Sequence, residues 1–243
     1  MNLNLAYNSI VSDKNILPIL AQSIVKTPKT IVSSVKGMLC NAELESITLS
    51  EACDILKNAG RVFIKPSVDS CSGEGCFIAD FADGVDAISK KRTKDILCSL
   101  GEDFVVQDII KCHQSIQQIY AGSVNTFRVI TYRWKNKIEH MPVIMRIGQG
   151  GAFVDNAHAG GMFIAVDDDG TLHKTAMTEF NVQFEAHPDT GFVFENAKID
   201  GFSSVIDKAK RMHVVVPQVG VINWDFTIDE MGDPLLIEAN IMG

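Results

Sequence analysis

No apolar run in the 243-residue chain approaches the roughly 20 residues that a membrane span requires. Its start, MNLNLAYNSIVSDK, lacks the charged-then-apolar order of a secretion signal. Positive charge is not in excess either: 22 Lys and Arg stand against 30 Asp and Glu, a formal net charge of −8. That balance argues against broad attachment to nucleic acid or anionic lipid and leaves open a local basic pocket for an anionic substrate. Internal repeats, low-complexity tracts and a long linker are missing as well. Cys71 and Cys76 are spaced too widely for a CxxC pair, and His140, His173, His187 and His213 show no ligand spacing, so zinc is a poor reading. The run DDDG at Asp167–Gly170 has Ala165 at the first ligand place of a calcium loop and reads as a hairpin turn. These absences describe a cytoplasmic globular protein whose six scattered cysteines are free thiols.

Hydrophobic residues, 46% of the chain, supply a core for one large domain or two modest ones. An amphipathic stretch, Lys14 to Val25, is interrupted by Pro18 and ends near Pro28. A strand pattern, TIVSSVKGMLC, follows from Thr30, and Ser50 reads as the cap of a helix through Ala52, Ile55, Leu56 and Ala59 that stops at Gly60. Arg61 to Lys65 is a short buried strand, and a Gly-rich loop runs from Ser67 to Cys76. A helix at Thr93 to Leu100 precedes the strand DFVVQ. Val124 to Trp134, Glu139 to Ile147 and Gly161 to Asp167 read as long strands, and Ile199 to Met212 as a helix. The first half is mixed α and β, the second richer in antiparallel sheet, with a boundary near Ile110.

The most informative segment is the last, VINWDFTIDEMGDPLLIEAN. It reads as two strands around a four-residue turn, Glu230 to Asp233, with Gly232 available for positive φ. In that register Leu235 faces Ile228, Ile237 faces Phe226 and Ala239 faces Trp224 on an apolar side. Asp225 then meets Glu238, and Asn223 meets Asn240, on the other. Two directly opposed carboxylates repel unless one is protonated or a cation lies between them. Oxygen-only ligands suit magnesium, which phosphates and water complete. The same pattern also fits a solvated polar strand face.

Other candidates carry two readings each. Lys65 ends a buried strand just before the Gly-rich loop, where an ammonium could reach phosphate held by loop amides. That loop is no Walker A motif, and an ordinary surface loop would look similar. Arg128 and Arg146 lie on largely apolar strands and need either a buried acidic partner or an anionic ligand. The glycines of RIGQGGAFVDNAHAGG surround Asp155, Asn156 and His158, which suits either a substrate loop or plain tight turns.

Taken in order, FIKP, DSCSGEG, VVQDII, SVNTFRVIT, MRIGQGGAFVDNAHAGG and NWDFTIDEMGDPLLIEAN resemble the ATP-grasp superfamily, most closely its sugar-transfer-associated branch, over about Thr30 to Asn240. The resemblance implies an α+β ATP-grasp fold in which two subdomains, 1–110 and 111–243, sandwich ATP between antiparallel sheets, with the N-terminal domain reduced. It implies that Lys65 and the loop residues Ser72, Gly73 and Gly75 cover the phosphates. Gln107, Asp108, Ile109 and Ile110 would follow the adenine, and His113 or Gln114 the ribose. Asp225, Glu238 and Asn240 would hold magnesium, Arg128 and Arg146 would steady the transferring phosphoryl group, and Asn125, Asp155 and Asn156 would meet substrate. The implied activity is an ATP- and magnesium-dependent ligase that turns a small-molecule or peptide carboxylate into an acylphosphate for an amine or similar nucleophile. An inert or regulatory nucleotide-binding protein and an ATP-grasp kinase are the alternatives. About thirty residues precede the first matching strand and three follow Asn240, which reads as a shortened member or a fragment.

Overall fold

A computed structural model describes residues 9–68, 74–155 and 160–241. They form two compact units, one of residues 13–15 and 28–109, the other of residues 9–12, 16–27 and 110–241. Among the described residues no helix is long and apolar enough to cross a membrane. Cys40, Cys53, Cys76, Cys98 and Cys112 are free thiols; Cys71 lies outside the described residues.

The smaller unit is a six-stranded antiparallel sheet in the order β2-β1-β6-β3-β4-β5. Its strands are β1 (Thr30–Val35), β2 (Met38–Asn41), β3 (Gly60–Pro66), β4 (Phe77–Ala82), β5 (Val85–Asp86) and β6 (Phe104–Asp108). The run from Thr30 to Cys40, expected as one strand, is a hairpin, because Lys36 and Gly37 both take positive φ (50° and 80°) and reverse the chain. Helix α3 (Leu49–Leu56) is capped by Thr48 rather than Ser50. The Thr48 hydroxyl accepts from the Glu51 N–H while the Glu51 carboxylate accepts from the Thr48 N–H, a reciprocal box that satisfies two end donors. With α4 (Thr93–Ser99), α3 supplies Ala52, Leu56, Ile96 and Leu97 to a core over Val62, Ile64, Phe104 and Val106. Period-2 alternation therefore turns Lys65, Val105, Gln107 and Ser33 to the sheet face opposite those helices, with Lys65 paired to Val105 and Val105 to Ser33.

The larger unit is an eight-stranded antiparallel sheet in the order β12-β11-β10-β9-β7-β13-β14, with β8 beside the outer half of β7. Its strands are β7 (Thr126–Trp134), β8 (Lys137–His140), β9 (Val143–Ile147), β10 (Met162–Val166), β11 (Ala176–Thr178), β12 (Gln183–Phe184), β13 (Val221–Ile228) and β14 (Pro234–Asn240). The expected strand Glu139–Ile147 is two, β8 and β9, parted at Met141 and Pro142, since proline cannot donate to a ladder. Short helices α1 (Ser9–Ser12), α2 (Leu17–Ala21) and α5 (Gln114–Gln117) join a longer one, α6, at Ser203–Val215. Val205, Ala209 and Met212 of α6 share a core with Phe127, Val129, Met145, Ile164, Trp224 and Phe226. The unpaired edge of β14 is covered: Leu236 N–H donates to the Lys26 carbonyl, and Lys26 Nζ reaches Asp229 (2.9 Å) and Asp233 (2.6 Å) at the hairpin tip.

A buried polar chain crosses this core. The Trp224 indole N–H can only donate, and it donates to Thr131 Oγ1 at 2.8 Å. The Val219 carbonyl beside His213 Nε2 can only accept, so in the neutral ring Nδ1 accepts from the Thr131 hydroxyl, 2.7 Å away. His213 Nε2 consequently carries the proton and donates to the Val219 carbonyl at 2.9 Å. The ring is held neutral, and burial lowers its pKa below the ordinary 6.5. A histidine so depressed leaves stability whole above 6.5 and drains it as pH falls further. Thr131→Val should cost about 2–4 kcal/mol, since it strands the Trp224 donor and the His213 acceptor without solvent. Denaturant unfolding of the wild type at pH 7.5 and 5.5 should show the acid loss, and an unchanged midpoint at both would refute the assignment.

Candidate functional site

The polar face of the larger sheet is assembled by strand register. Ile144 of β9, Arg128 of β7, Asp225 of β13 and Glu238 of β14 lie in one cross-strand row. Arg146 opposes Thr126 in the row beside it, and Asn223 opposes Asn240 in the row on the other side. The expected pairs Asp225 with Glu238 and Asn223 with Asn240 are therefore present, but the tip of the hairpin is shifted by one residue. Phe226 faces Leu236 instead of Ile237, and Ile228 faces Pro234 instead of Leu235. The turn is a three-residue loop, Glu230–Gly232, closed by Asp229 N–H to Asp233 O with Gly232 at φ 88°, one residue shorter than expected. A β-bulge at Ile237 absorbs the difference, so that Leu236 and Ala239 both reach the core while Glu238 and Asn240 stay on the polar side.

Asp225 is fully buried (0% exposed) at the centre of this face. Arg128 grips it with two parallel bonds, Nε to Oδ1 and Nη2 to Oδ2, both 2.8 Å. Arg146 Nη2 lies 3.1 Å from Oδ2, and Asn240 Nδ2 donates to Oδ2 at 3.3 Å and to Glu238 Oε1 at 3.2 Å. Arg146 is anchored from behind: its Nε and Nη2 donate to Thr126 Oγ1 (2.9 and 2.8 Å), and its Nε is 3.6 Å from Asp155 Oδ2. The Thr126 backbone N–H donates to the same Asp155 oxygen at 3.0 Å, and so does its hydroxyl. Both arginines thus have the acidic partners that their apolar strands demanded.

Among the described residues Asp225 and Asp155 share the two guanidiniums, and Glu238 stands directly opposite Asp225. Burial pushes Asp225 up to about 6 against the downward pull of Arg146 and Arg128, and burial likewise raises Asp155. Asp225, Glu238 and Asn240 are the residues that could hold a cation. Two carboxylates and an amide give an oxygen donor set of the magnesium type, and the amide N–H of Asn240 already places positive charge where the two acids converge. Among the described residues no set of three or more His, Cys, Asp and Glu is arranged as a metal site.

The other expected residues fall as follows. In the smaller unit, Lys65 is 5% exposed, with Nζ 6.0 Å from the Phe63 ring centroid. Gln107 is buried and donates from Nε2 to Thr30 Oγ1 at 3.2 Å, whereas Asp108, at the strand end, is exposed and Ile109 half-buried. Gly75 takes φ +73°, and a Cβ there would come within 3.0 Å of the Pro66 ring, so the end of the Gly-rich loop needs glycine. Ser72, Gly73 and Asn156 lie outside the described residues. In the larger unit, Ile110 packs against the core, His113 caps α5 by accepting from Ser115 N–H, and Gln114 is exposed. Asn125, expected at substrate, is fully buried: its Nδ2 donates to the Tyr120 carbonyl, and its Oδ1 accepts from Ser123 Oγ and Gly148 N–H. That side chain braces the start of β7 from inside, and the Asp155 carboxylate serves Thr126 and Arg146.

Sequence reasoning missed Thr126, Lys14 and Ser67. Thr126 was legible in retrospect, because it shares the alternation that places Arg128 on the polar face. Lys14 is nearly buried, and its backbone N–H donates to the Ser67 carbonyl, two residues beyond Lys65. The Ser67 hydroxyl and both amide atoms of Asn15 are buried without a partner among the described residues, a local surplus of unsatisfied polar groups at the end of β3.

The chain matches the sugar-transfer associated ATP-grasp family over residues 2–242 and belongs to it. No curated protein matches it. Among solved structures it is similar to N5-carboxyaminoimidazole synthetase from Staphylococcus aureus complexed with ADP, at 11% identity and a TM-score of 0.54 over 96% of this chain and 45% of that one. It is similar also to D-alanyl-alanine synthetase A from Vibrio cholerae, at 13% identity and 0.52 over 96% and 55%. A third is N5-carboxyaminoimidazole synthase from Aspergillus clavatus in complex with ADP and 5-aminoimidazole ribonucleotide, at 10% and 0.52 over 97% and 46%. The chain therefore has the ATP-grasp fold and spans about half the length of these proteins.

A carboxyl raised from 3.8 to about 6 favours the folded state only while protonated. Its contribution is whole below 3.8 and gone once pH has risen through about 6, so ionised Asp225 is a cost at neutral pH that positive charge offsets. The carboxyl carbon resonance of Asp225 should titrate near 6 in the ligand-free protein and move down in Glu238→Gln, which removes a neighbouring negative charge. A midpoint at or below 4 would contradict the burial account.

Proposed function

We propose that the chain is an ATP- and magnesium-dependent ligase that activates a carboxylate as an acylphosphate for attack by an amine or similar nucleophile. The observation that carries this reading is the single cross-strand row in which Arg128, Asp225 and Glu238 adjoin Arg146 and Asn240. Such a face has acids enough to demand cations and guanidiniums enough to hold phosphate. The ADP in two solved structures of the same fold supports a nucleotide ligand, and the family's association with sugar transfer supports a cell-surface sugar or peptide precursor as the acid. Use of ATP suits a cytoplasmic location.

In this reading Asp225, Glu238 and Asn240 hold magnesium, which when bound neutralises phosphate oxygens. Lys65, Lys14 and the end of the Gly-rich loop bind phosphate, where Ser67 and Asn15 supply unsatisfied polar atoms. Gln107, Asp108, Ile109 and Ile110 follow the adenine, and His113 or Gln114 the ribose. The substrate carboxylate oxygen forms a bond to the γ-phosphorus as the bridging bond to ADP breaks. Arg146, fixed by Thr126 and Asp155, stabilises the charge that builds on the transferring group. The amine nitrogen then attacks the acyl carbon, phosphate leaves, and the amine gives up its proton to solvent. No protein nucleophile takes part.

Purified protein with magnesium and ATP, tested against panels of carboxylates and amines, should release ADP only when both partners are present. Glu238→Ala should weaken magnesium-dependent ATP binding by about tenfold or more in calorimetry. Absence of magnesium-dependent ATP binding by the wild type would refute the reading, and binding without ADP release under any pairing would reduce it to a nucleotide-binding module.

A further inference from the structure

Oxygen Oδ2 of Asp225 accepts from Arg128 Nη2 and Asn240 Nδ2 and pairs with Arg146 Nη2 at 3.1 Å, and Oδ1 accepts from Arg128 Nε. A carboxylate offers about four acceptor sites in all, two per oxygen, so Oδ2 is saturated and Oδ1 half used. A divalent ion can use this acid fully only if a guanidinium lets go. The two arginines differ in how far they are tied elsewhere. Arg146 is pinned to Thr126 Oγ1 through two nitrogens and flanked by Asp155, whereas among the described residues the fork of Arg128 is closed on Asp225 alone. The Arg128 side chain is also the more open, 26% exposed against 17% for Arg146.

We infer that Arg128 is an exchangeable latch: in the nucleotide-free protein its fork occupies Asp225, and an arriving phosphate takes that fork and releases the carboxylate to a divalent cation. The inference rests on the proposed nucleotide reading for its trigger, and on the geometry alone for the latch. A phosphate presents the same pair of oxygens to a guanidinium as a carboxylate does, so the swap preserves both bonds. Arg146 stays on Thr126 and keeps one positive charge beside Asp225 throughout. Metal and phosphate binding are then positively coupled, because each removes the obstacle to the other. Thr126 is a positioning residue that decides which arginine moves.

Manganese binding followed by electron paramagnetic resonance tests this with the metal alone. Wild-type protein should bind manganese weakly, and ADP should tighten it about tenfold or more. Arg128→Met should bind manganese without nucleotide about tenfold more tightly than wild type, and most of the ADP effect should vanish. Arg128→Lys keeps the charge but not the fork, and it should also bind more tightly than wild type. Should Arg128→Lys match wild type while Arg128→Met binds tightly, charge alone rather than occupation of Asp225 would explain the data and the latch would be overturned. Equal affinities in all three folded proteins, checked by circular dichroism, would overturn it too. If ADP does not bind, the ligase reading falls, and the metal-only comparison still decides the latch.

Discussion

A carboxylate withdrawn wholly from water in the middle of a sheet must be matched by positive charge, and Asp225 is the point on which the polar face of the larger unit depends. Arg128 and Arg146 come to it from neighbouring strands, Glu238 lies directly opposite, and Asn240 bridges the two acids. Thr126 and Asp155 then hold Arg146 in place, so the network reaches across β9, β7, β13 and β14. Its buried, charged side chains are the physical reason for linking this face to charged ligands rather than to an apolar partner.

The sheet makes that concentration of charge tolerable. Strict alternation sends Ile222, Trp224, Phe226 and Ile228 to a core shared with α6, leaving Asn223 and Asp225 on the reverse face. The bulge at Ile237 keeps the two faces distinct although the hairpin turn fixes a register one residue out of step with the acids. Lys26 holds the hairpin tip through Asp229 and Asp233, and the bound N-terminal segment covers the edge beside the site.

Period-2 alternation made the acid pairs readable in the sequence, since a buried strand leaves little freedom in which residues share a face, whereas the fold class was legible through the family resemblance. The tip of the hairpin was not readable, because a three-residue loop with a compensating bulge and a four-residue turn without one fit the same run EMGD. Lys36 and Gly37 hid a hairpin inside an apparently continuous strand, and Thr48 lost to Ser50 as the expected cap because both are good cap residues two positions apart. Asn125 reads in sequence like any polar residue beside glycines, and only its satisfied, solvent-free amide reveals a brace. The pairing of both arginines with one aspartate is a tertiary fact that no local pattern carries.

The most direct measurement of the central claim is residue-by-residue broadening of backbone amide signals by manganese with ATP. Broadening should be greatest at Asp225, Glu238 and Asn240 and spread along the centres of β13 and β14, while the acidic turn Asp167–Gly170 keeps sharp signals. Broadening centred on that turn, or spread evenly over exposed acids, would contradict a metal and nucleotide site on this face of the sheet.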